Sequence, residues 1–333
     1  MTAAARTRLV IAALALLTAA LFAGSLLVGP AGFGMGESLR ALLSGQGDAI
    51  ALVMREIRLP RALLALLIGA GLGASGATLQ GYLRNPLAEP GLLGISGAAA
   101  LGAVLALYTG LSAAFPLALP LSALTGAIAA TVLLQGLAGS APGSISLILA
   151  GVAVSSLAGA LTSLVLNLSP NPFAASEIVY WLLGSLADRS MAHVWLAGPF
   201  IVAGIALLAL TGRALDALTL GEDAAASMGV DIRRTRTLAV LGTALAVGAG
   251  VAVAGSIGFI GLVVPHLLRP ITGGLPSRLL PASALGGAAL LLAADLAVRL
   301  IAPDRDLKLG VLTALVGAPF FFWLVWKGRR SLT

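Results

Sequence analysis

Residues 61–82 form a glycine-rich apolar run that is long enough to cross a lipid bilayer as a single helix. A spanning helix needs about 20 apolar residues, because the hydrocarbon core is about 30 Å thick. Arg58 and Arg61 flank Pro60 at the start of this run, and a break with two prolines, residues 85–91, follows its end. Charge at one mouth, close packing inside and irregular backbone at the other end are features that a solute pathway requires. The run therefore predicts a transport protein.

Composition points to the same class. Of 333 residues, 59% are hydrophobic and 10% are charged, whereas soluble domains carry about 25% charged residues. The chain is therefore predicted to be an all-α polytopic membrane protein. Its net charge of +7 does not indicate nucleic-acid binding, because no basic face with interleaved aromatic residues is present. Membrane lipid and the rule for orienting spans account for that charge. Cysteine is absent, which excludes disulfides and thiolate metal sites.

Ten apolar segments are predicted to be membrane spans of one domain, residues 1–333. The first follows two arginines and is predicted to be a retained span instead of a cleaved signal peptide. The apolar stretch 238–268 is too long for one helix, and Gly255, Gly258 and Pro265 divide it. The predicted spans are residues 9–28, 61–82, 91–109, 116–137, 144–168, 192–212, 236–254, 257–268, 280–302 and 309–326.

The distribution of Lys and Arg supports this division. With an inside N-terminus and ten spans, twelve of the 20 cations lie inside and eight outside. Without the division at residues 255–258 the two sides hold ten each. Because cytoplasmic loops carry an excess of Lys and Arg, ten spans with both termini cytoplasmic are favoured.

Some cations break this rule. Arg55, Arg58 and Arg61 cluster at one predicted outer mouth, and further outer cations lie at another, namely Arg299, Arg305 and Lys308. These side chains are expected either to reach lipid headgroups or nearby acids such as Glu56, Asp304 and Asp306, or to dock an acidic partner. Both interpretations remain open.

Asp295 lies inside the ninth predicted span, four residues before Arg299, so both share one helix face. A carboxylate at the bilayer centre costs about 2.5–3.5 kcal/mol on insertion scales, which makes it a functional candidate. The alternative is a structural hydrogen bond to a neighbouring helix. No other predicted span interior holds an acid, which argues against a proton-coupled carrier.

Small or polar residues recur every four positions along the fifth predicted span and share one face. Such a face lines either a wide aqueous pathway or a contact with another helix through hydrogen bonds. These residues are Ser155, Gly159, Ser163 and Asn167.

The longest predicted inside loop, residues 213–236, contains a short helix. Glu222 and Asp223 suit its first turn, and Gly229 suits its end. The segment is either a contact for a cytoplasmic partner or an ordinary amphipathic connector.

Nucleotide and metal sites are not indicated. Residues 71–76 match G-x-G-x-x-G but lie inside a predicted span, where glycines allow close helix packing. No P-loop pattern occurs, so ATP-driven transport would need a separate ATPase. His193 and His266 are predicted at opposite membrane faces, which disfavours a shared metal site or a catalytic triad. His266 is expected to hydrogen-bond to a neighbouring carbonyl.

Several segments together resemble the FecCD family of permeases, which belong to type II ABC importers for ferric siderophores, haem and cobalamin. They spread over nearly the whole chain. The matching segments are residues 57–61 (IRLPR), 85–91 (NPLAEPG), 220–222 (LGE), 257–269 (IGFIGLVVPHLLR), 294–295 (AD) and 317–319 (GAP).

The resemblance implies a homodimer of ten-helix permeases in a bacterial inner membrane, with the path on the two-fold axis. It implies two cytoplasmic ATPase subunits, which bind ATP and Mg²⁺, while this chain binds no cofactor. A periplasmic binding protein would dock on Arg58, Arg61 and Arg299. The cytoplasmic gate would comprise Asn85, Leu87, Ser144 and Ile145, where the isoleucine replaces a polar residue and predicts a more apolar constriction. The ATPase contact, residues 214–230, would include Leu220, Gly221, Glu222, Asp223, Ala226 and Gly229.

The expected activity is import of an iron chelate, a ferric siderophore, by alternating access, with haem or cobalamin as alternatives. An intramembrane enzyme is disfavoured because no span offers Ser with His, paired aspartates or H-E-x-x-H. A secondary carrier is disfavoured because inverted repeats and midplane charges are not visible.

Overall fold

The computed structural model describes residues 3–29, 34–44, 49–115, 117–138, 144–169, 172–302 and 307–329. Within these ranges the chain is all-α and contains no strand, which confirms the predicted fold class. Ten principal helices follow one another along the chain. They are α1 (Ala3–Leu27), α2 (Leu59–Tyr82), α3 (Ile95–Tyr108), α4 (Ala118–Ala138), α5 (Ser144–Asn167), α6 (Met191–Ala209), α7 (Ile232–Ala254), α8 (Ile260–Thr272), α9 (Pro276–Ile301) and α10 (Leu309–Arg329).

Each predicted span overlaps one of these helices. In the described part of the chain, seven helical segments are long and apolar enough to cross a membrane, and three shorter apolar helices, α3, α8 and α10, accompany them. At about 1.5 Å of rise per residue, the 13 residues of α8 are too short to cross the hydrocarbon core. The number of membrane crossings therefore stays a prediction.

Helices α2 and α7 form the interior of the bundle. In each of them 78% of the most apolar stretch is buried, against 11% for α1 at the periphery. Small residues dominate both central helices, so neighbouring backbones approach closely on several sides. The buried core runs along the length of the two helices.

Glycines fix the contact between α2 and α9. A Cβ atom at Gly69 would collide with the carbonyl oxygen of Gly287, and one at Gly73 would collide with that of Ser283. A Cβ at Gly76 would collide with the backbone of Gly261 in α8. The glycine pattern of residues 69–76 is thus a packing surface, as predicted.

Two irregular segments start the short helices inside the bundle. Residues 83–94, which include a 3₁₀ helix at Pro90–Leu93, lead into α3, and residues 255–259 lead into α8. Phe259 has a left-handed backbone (φ +68°), and its N–H donates a hydrogen bond to the carboxyl group of Glu89. Non-helical backbone is tolerated in a membrane protein where other protein segments bury it and satisfy it.

Shorter helices complete the described chain. Met35–Ser44, Ala49–Leu52 and the π-helix Val53–Arg58 precede α2, and Leu111–Ala114 and Pro172–Leu182 lie after α3 and α5. Two more, Gly212–Leu218 and Glu222–Ser227, join α6 to α7.

Candidate docking rim, gate and coupling helix

Asp295 lies at the centre of a charged cluster where α2 begins and α9 ends. Its Oδ1 accepts a hydrogen bond from Nε of Arg61 at 2.8 Å, and its Oδ2 pairs with Nη2 of Arg299. The Asp295 side chain is completely buried. The i,i+4 relationship with Arg299 was predicted, and the structure adds the cross-helix partner on α2. Of the two interpretations of Asp295, the structural one has direct support.

The same cluster satisfies the end of α1. Nη1 of Arg58 donates to the carbonyl oxygens of Leu26 and Leu27, each at 3.0 Å. Nη1 of Arg299 donates to the carbonyl oxygens of Ser25 and Val28, each at 2.9 Å, and its Nη2 contacts Oγ of Ser25. The last carbonyl groups of a helix have no partners within it and carry partial negative charge. Two guanidinium groups therefore cap α1.

The structure brings the three predicted docking arginines together, yet it exposes them unequally. The side chains of Arg61 and Arg299 are 18% and 7% exposed, and Arg58 is 4% exposed. Two of them, Arg58 and Arg299, bind the end of α1. Arg55 is exposed, while Asp304, Arg305 and Asp306 lie outside the described residues. The docking role itself stays a prediction.

The predicted gate begins in an ordered turn. Oδ1 of Asn85 accepts a hydrogen bond from the backbone N–H of Leu87 at 2.9 Å, and its own N–H donates to the carbonyl of Gln80. Both gate residues are half-buried. The turn is thus tied to the last turn of α2.

The α5 part of the gate lies on an open face. Ser144 begins α5, and the Ile145 side chain is 71% exposed in the single chain. The pathway residues Gly159, Ser163 and Asn167 are exposed as well, whereas Ser155 is half-buried beside Gly94. The buried face of the helix is apolar and includes Leu147, Ala150, Val154 and Ala158. Most of the predicted pathway face therefore points away from the bundle.

The predicted short helix of the inside loop is present as Glu222–Ser227. It follows Gly221 and precedes Gly229, both with positive φ (+111° and +83°). The surface of this segment is open at Leu220, Asp223 and Ala226. We call residues 220–229 the coupling helix.

Two contacts join the segment between α6 and α7, which includes the coupling helix, to α2 and α9. Nη2 of Arg84, just after α2, lies 3.8 Å from Oε1 of Glu222. Oδ1 of Asp216 accepts a hydrogen bond from the backbone N–H of Ser277 at the start of α9, at 2.9 Å. Sequence reasoning named the coupling helix but missed both partners, since neither pairing has a sequence spacing that reveals it.

Other polar groups were also missed. Arg269 donates to Oε1 of the buried Gln80 at 2.8 Å, and Gln80 donates to the carbonyl of Leu262 at 3.3 Å. The ring of His266 packs edge-on against Phe320, with centroids 5.7 Å apart. The expectation of a carbonyl partner for His266 was therefore wrong for Nδ1, which has no hydrogen-bond partner among the described residues.

A cavity of about 460 Å³ next to the start of α6 is lined by Glu177, Arg189 and His193 among apolar side chains. Burial lowers the pKa of the Arg189 guanidinium, and neighbouring Asp188 opposes that shift. Nδ1 of His193 accepts a hydrogen bond from the backbone N–H of Ser190 and so caps the start of α6. Among the residues that the structure describes, no group of His and acidic side chains is arranged to hold a metal ion.

An α-helical bundle built on glycine contacts, with irregular backbone segments inside and charged clusters at both ends, is typical of a polytopic membrane permease. The chain belongs to the FecCD transport family, whose sequence model matches residues 16–327.

Individual relatives agree with this assignment. The chain is 41% identical over 277 residues to the Fe(3+) dicitrate transport system permease protein FecD of Escherichia coli (strain K12), which covers 83% of this chain and 86% of that protein. It is 43% identical over 277 residues to the vitamin B12 import system permease protein BtuC of Vibrio cholerae, which covers 83% of each. An inward-facing structure of an ABC transporter assigned to the metal-chelate type superposes with a TM-score of 0.83, at 33% identity and over 95% of this chain and 98% of that one.

Proposed function

We propose that this chain is the membrane subunit of an ATP-driven importer and moves a ferric siderophore from the periplasm to the cytoplasm by alternating access. One observation carries the proposal. The α2–α9 pair holds Arg61 and Asp295 at one end. At the other end, Arg84, just after α2, pairs with Glu222, and Ser277 in α9 binds Asp216. Glycines lock the two helices together in between. A movement of the coupling helix is thereby transmitted along one rigid unit.

The energy source is assigned to a partner. The sequence contains no P-loop, and the coupling helix presents Leu220, Asp223 and Ala226 on its surface. Two ATPase subunits, each with ATP and Mg²⁺, are proposed to press on these residues in a homodimer. The Arg84–Glu222 pair then passes the movement to the turn at Asn85.

The path is proposed to lie between two copies of the chain. Gly159, Ser163 and Asn167 share the open side of α5 with Ile145. Facing copies of this surface would enclose a polar conduit with an apolar constriction at its cytoplasmic end. The substrate-binding protein would contact the opposite end, at the cluster of Arg58, Arg61 and Arg299, which we call the docking rim.

The identity of the substrate is the most specific part of the proposal. The identities to the ferric dicitrate and vitamin B12 permeases, 41% and 43%, are nearly equal, so they do not discriminate between chelates. An iron chelate is proposed, with haem or cobalamin as the alternative. No pathway residue on α5 carries a charge that would select among them.

The test is reconstitution in proteoliposomes with the cognate ATPase and substrate-binding protein. Uptake of radiolabelled ferric siderophore, haem and cobalamin is measured with ATP inside the compartment that holds the ATPase. We expect uptake of an iron chelate that requires ATP and the binding protein. Uptake that an ion gradient drives without ATP would refute the proposal of an ATP-driven importer. Selective uptake of haem or cobalamin would mean that this compound, and not a ferric siderophore, is the substrate.

A further inference from the structure

We propose that the three rim arginines have different tasks and that Asp295 is the residue that separates them. Arg61 contacts the acidic partner, whereas Arg58 and Arg299 hold the end of α1 in place. Asp295 positions Arg61 and Arg299 together. This inference rests on the docking role proposed above, and it reduces the docking set from three arginines to one.

Arg58 is committed to α1. Its Nη1 spans the carbonyl oxygens of Leu26 and Leu27, and its side chain is almost completely buried. The backbone at Gly29 lies over the guanidinium, since a Cβ there would stand 2.8 Å from Nη2. A carboxylate of another protein cannot reach this group unless the end of α1 moves away.

Arg299 is committed in the same way. Its guanidinium bridges the carbonyl oxygens of Ser25 and Val28 on one side and Asp295 on the other. The end of α1 is therefore fastened to α9 through one side chain. Because the donors are fixed by these acceptors, few remain for a partner.

Arg61 differs from both. Nε of Arg61 donates its hydrogen bond to Asp295. The edge formed by Nη1 and Nη2 of Arg61 can therefore bind a second carboxylate, in the bidentate arrangement that Arg favours. It is also the most exposed of the three guanidinium groups. A single carboxylate between two guanidinium groups leaves a net positive charge at the rim, which attracts an acidic surface.

The experiment separates docking from clamping. The chain contains no cysteine, so Val28→Cys provides a single maleimide-reactive probe at the end of α1. Arg61→Gln, Arg58→Gln, Arg299→Gln, Asp295→Asn and Asp295→Glu are made in that background, with the exposed Arg40→Gln as a matched control. The two readouts are the labelling rate in nanodiscs and the affinity for the cognate binding protein, measured between low and high salt.

Arg61→Gln is expected to weaken binding about tenfold at low salt and to reduce its salt dependence, with labelling unchanged. Arg58→Gln and Arg299→Gln are expected to accelerate labelling and to leave the salt dependence as it was. Asp295→Asn should accelerate labelling and weaken binding, because Arg61 and Arg299 both lose the carboxylate that positions them. Its salt dependence should not fall as it does in Arg61→Gln, since the variant removes a negative charge from the rim. Asp295→Glu should recover part of both the binding and the slow labelling. Arg40→Gln should alter neither.

Two results overturn different statements. If Arg58→Gln and Arg299→Gln reduce the salt dependence as much as Arg61→Gln while labelling stays constant, the division of tasks is wrong. If Arg61→Gln changes neither affinity nor salt dependence, the proposed docking at this rim is wrong. The labelling rates of Arg58→Gln and Arg299→Gln would still show whether these two arginines hold the end of α1.

Discussion

Arg84 and Glu222 form an ion pair of 3.8 Å between the turn that contains the proposed gate and the coupling helix. Arg84 has a left-handed backbone (φ +50°) and directly precedes Asn85. This pair is a direct side-chain contact between the coupling helix and the turn. At the same end, the hydrogen bond from Ser277 to Asp216 ties α9 to the neighbouring helix Gly212–Leu218.

Breaking this pair is expected to uncouple transport. The side chains of Arg84 and Glu222 are 45% and 25% exposed, so the pair adds only about 0.2–1 kcal/mol to stability. Arg84→Glu should leave the thermal midpoint nearly unchanged and lower the substrate transported per ATP hydrolysed. The double variant with Glu222→Arg should restore the ratio. Equal ratios in the wild type and the single variant would contradict this coupling route.

Separating α2 from α9 is expected to destabilise the whole bundle. Gly73→Ala introduces a Cβ where the carbonyl oxygen of Ser283 lies, and such overpacking costs about 1–3 kcal/mol. Gly136→Ala in α4 is the matched control, because a Cβ at this position meets no atom within 4 Å. Thermal unfolding in detergent should show a lower midpoint for the first variant alone. A tolerated Gly73→Ala would mean that the helix contact is not tight.

The sequence predicted the helices well because apolar length is a local property. It missed the start of α8, placed at 257, because Phe259 adopts a left-handed backbone and delays the helix to Ile260. Charge counting placed Arg58 and Arg61 at one outer mouth and Arg299 at another, and only the family resemblance joined the three, which the structure brings together around Asp295. The sequence could not show that Arg58 and Arg299 bind α1, since their acceptors are backbone carbonyl groups, which carry no residue signature.

Glu89 should make stability depend on pH. Burial raises the pKa of its carboxyl group above the ordinary value of 4.5, and the hydrogen bond from the N–H of Phe259 opposes that rise. The folded chain therefore holds the proton more tightly than the unfolded chain does, and stability falls as the pH rises above 4.5 through the folded pKa. Glu89→Gln should flatten this dependence in thermal unfolding between pH 4 and 8. If stability depends on pH to the same extent in the wild type and in Glu89→Gln, a group other than Glu89 causes the dependence.

The open face of α5 is expected to meet its counterpart in a second copy. Ile145 is 71% exposed at the start of this helix, and a residue next to a two-fold axis lies close to its own symmetry mate. Because the chain has no native cysteine, Ile145→Cys should give a cross-linked dimer with a short bis-maleimide in membranes. Val132→Cys, at an exposed position of α4, is the control that should remain monomeric on a denaturing gel. Cross-linking of Val132→Cys with none at Ile145→Cys would place the interface on α4 and exclude α5 as the lining of a shared conduit.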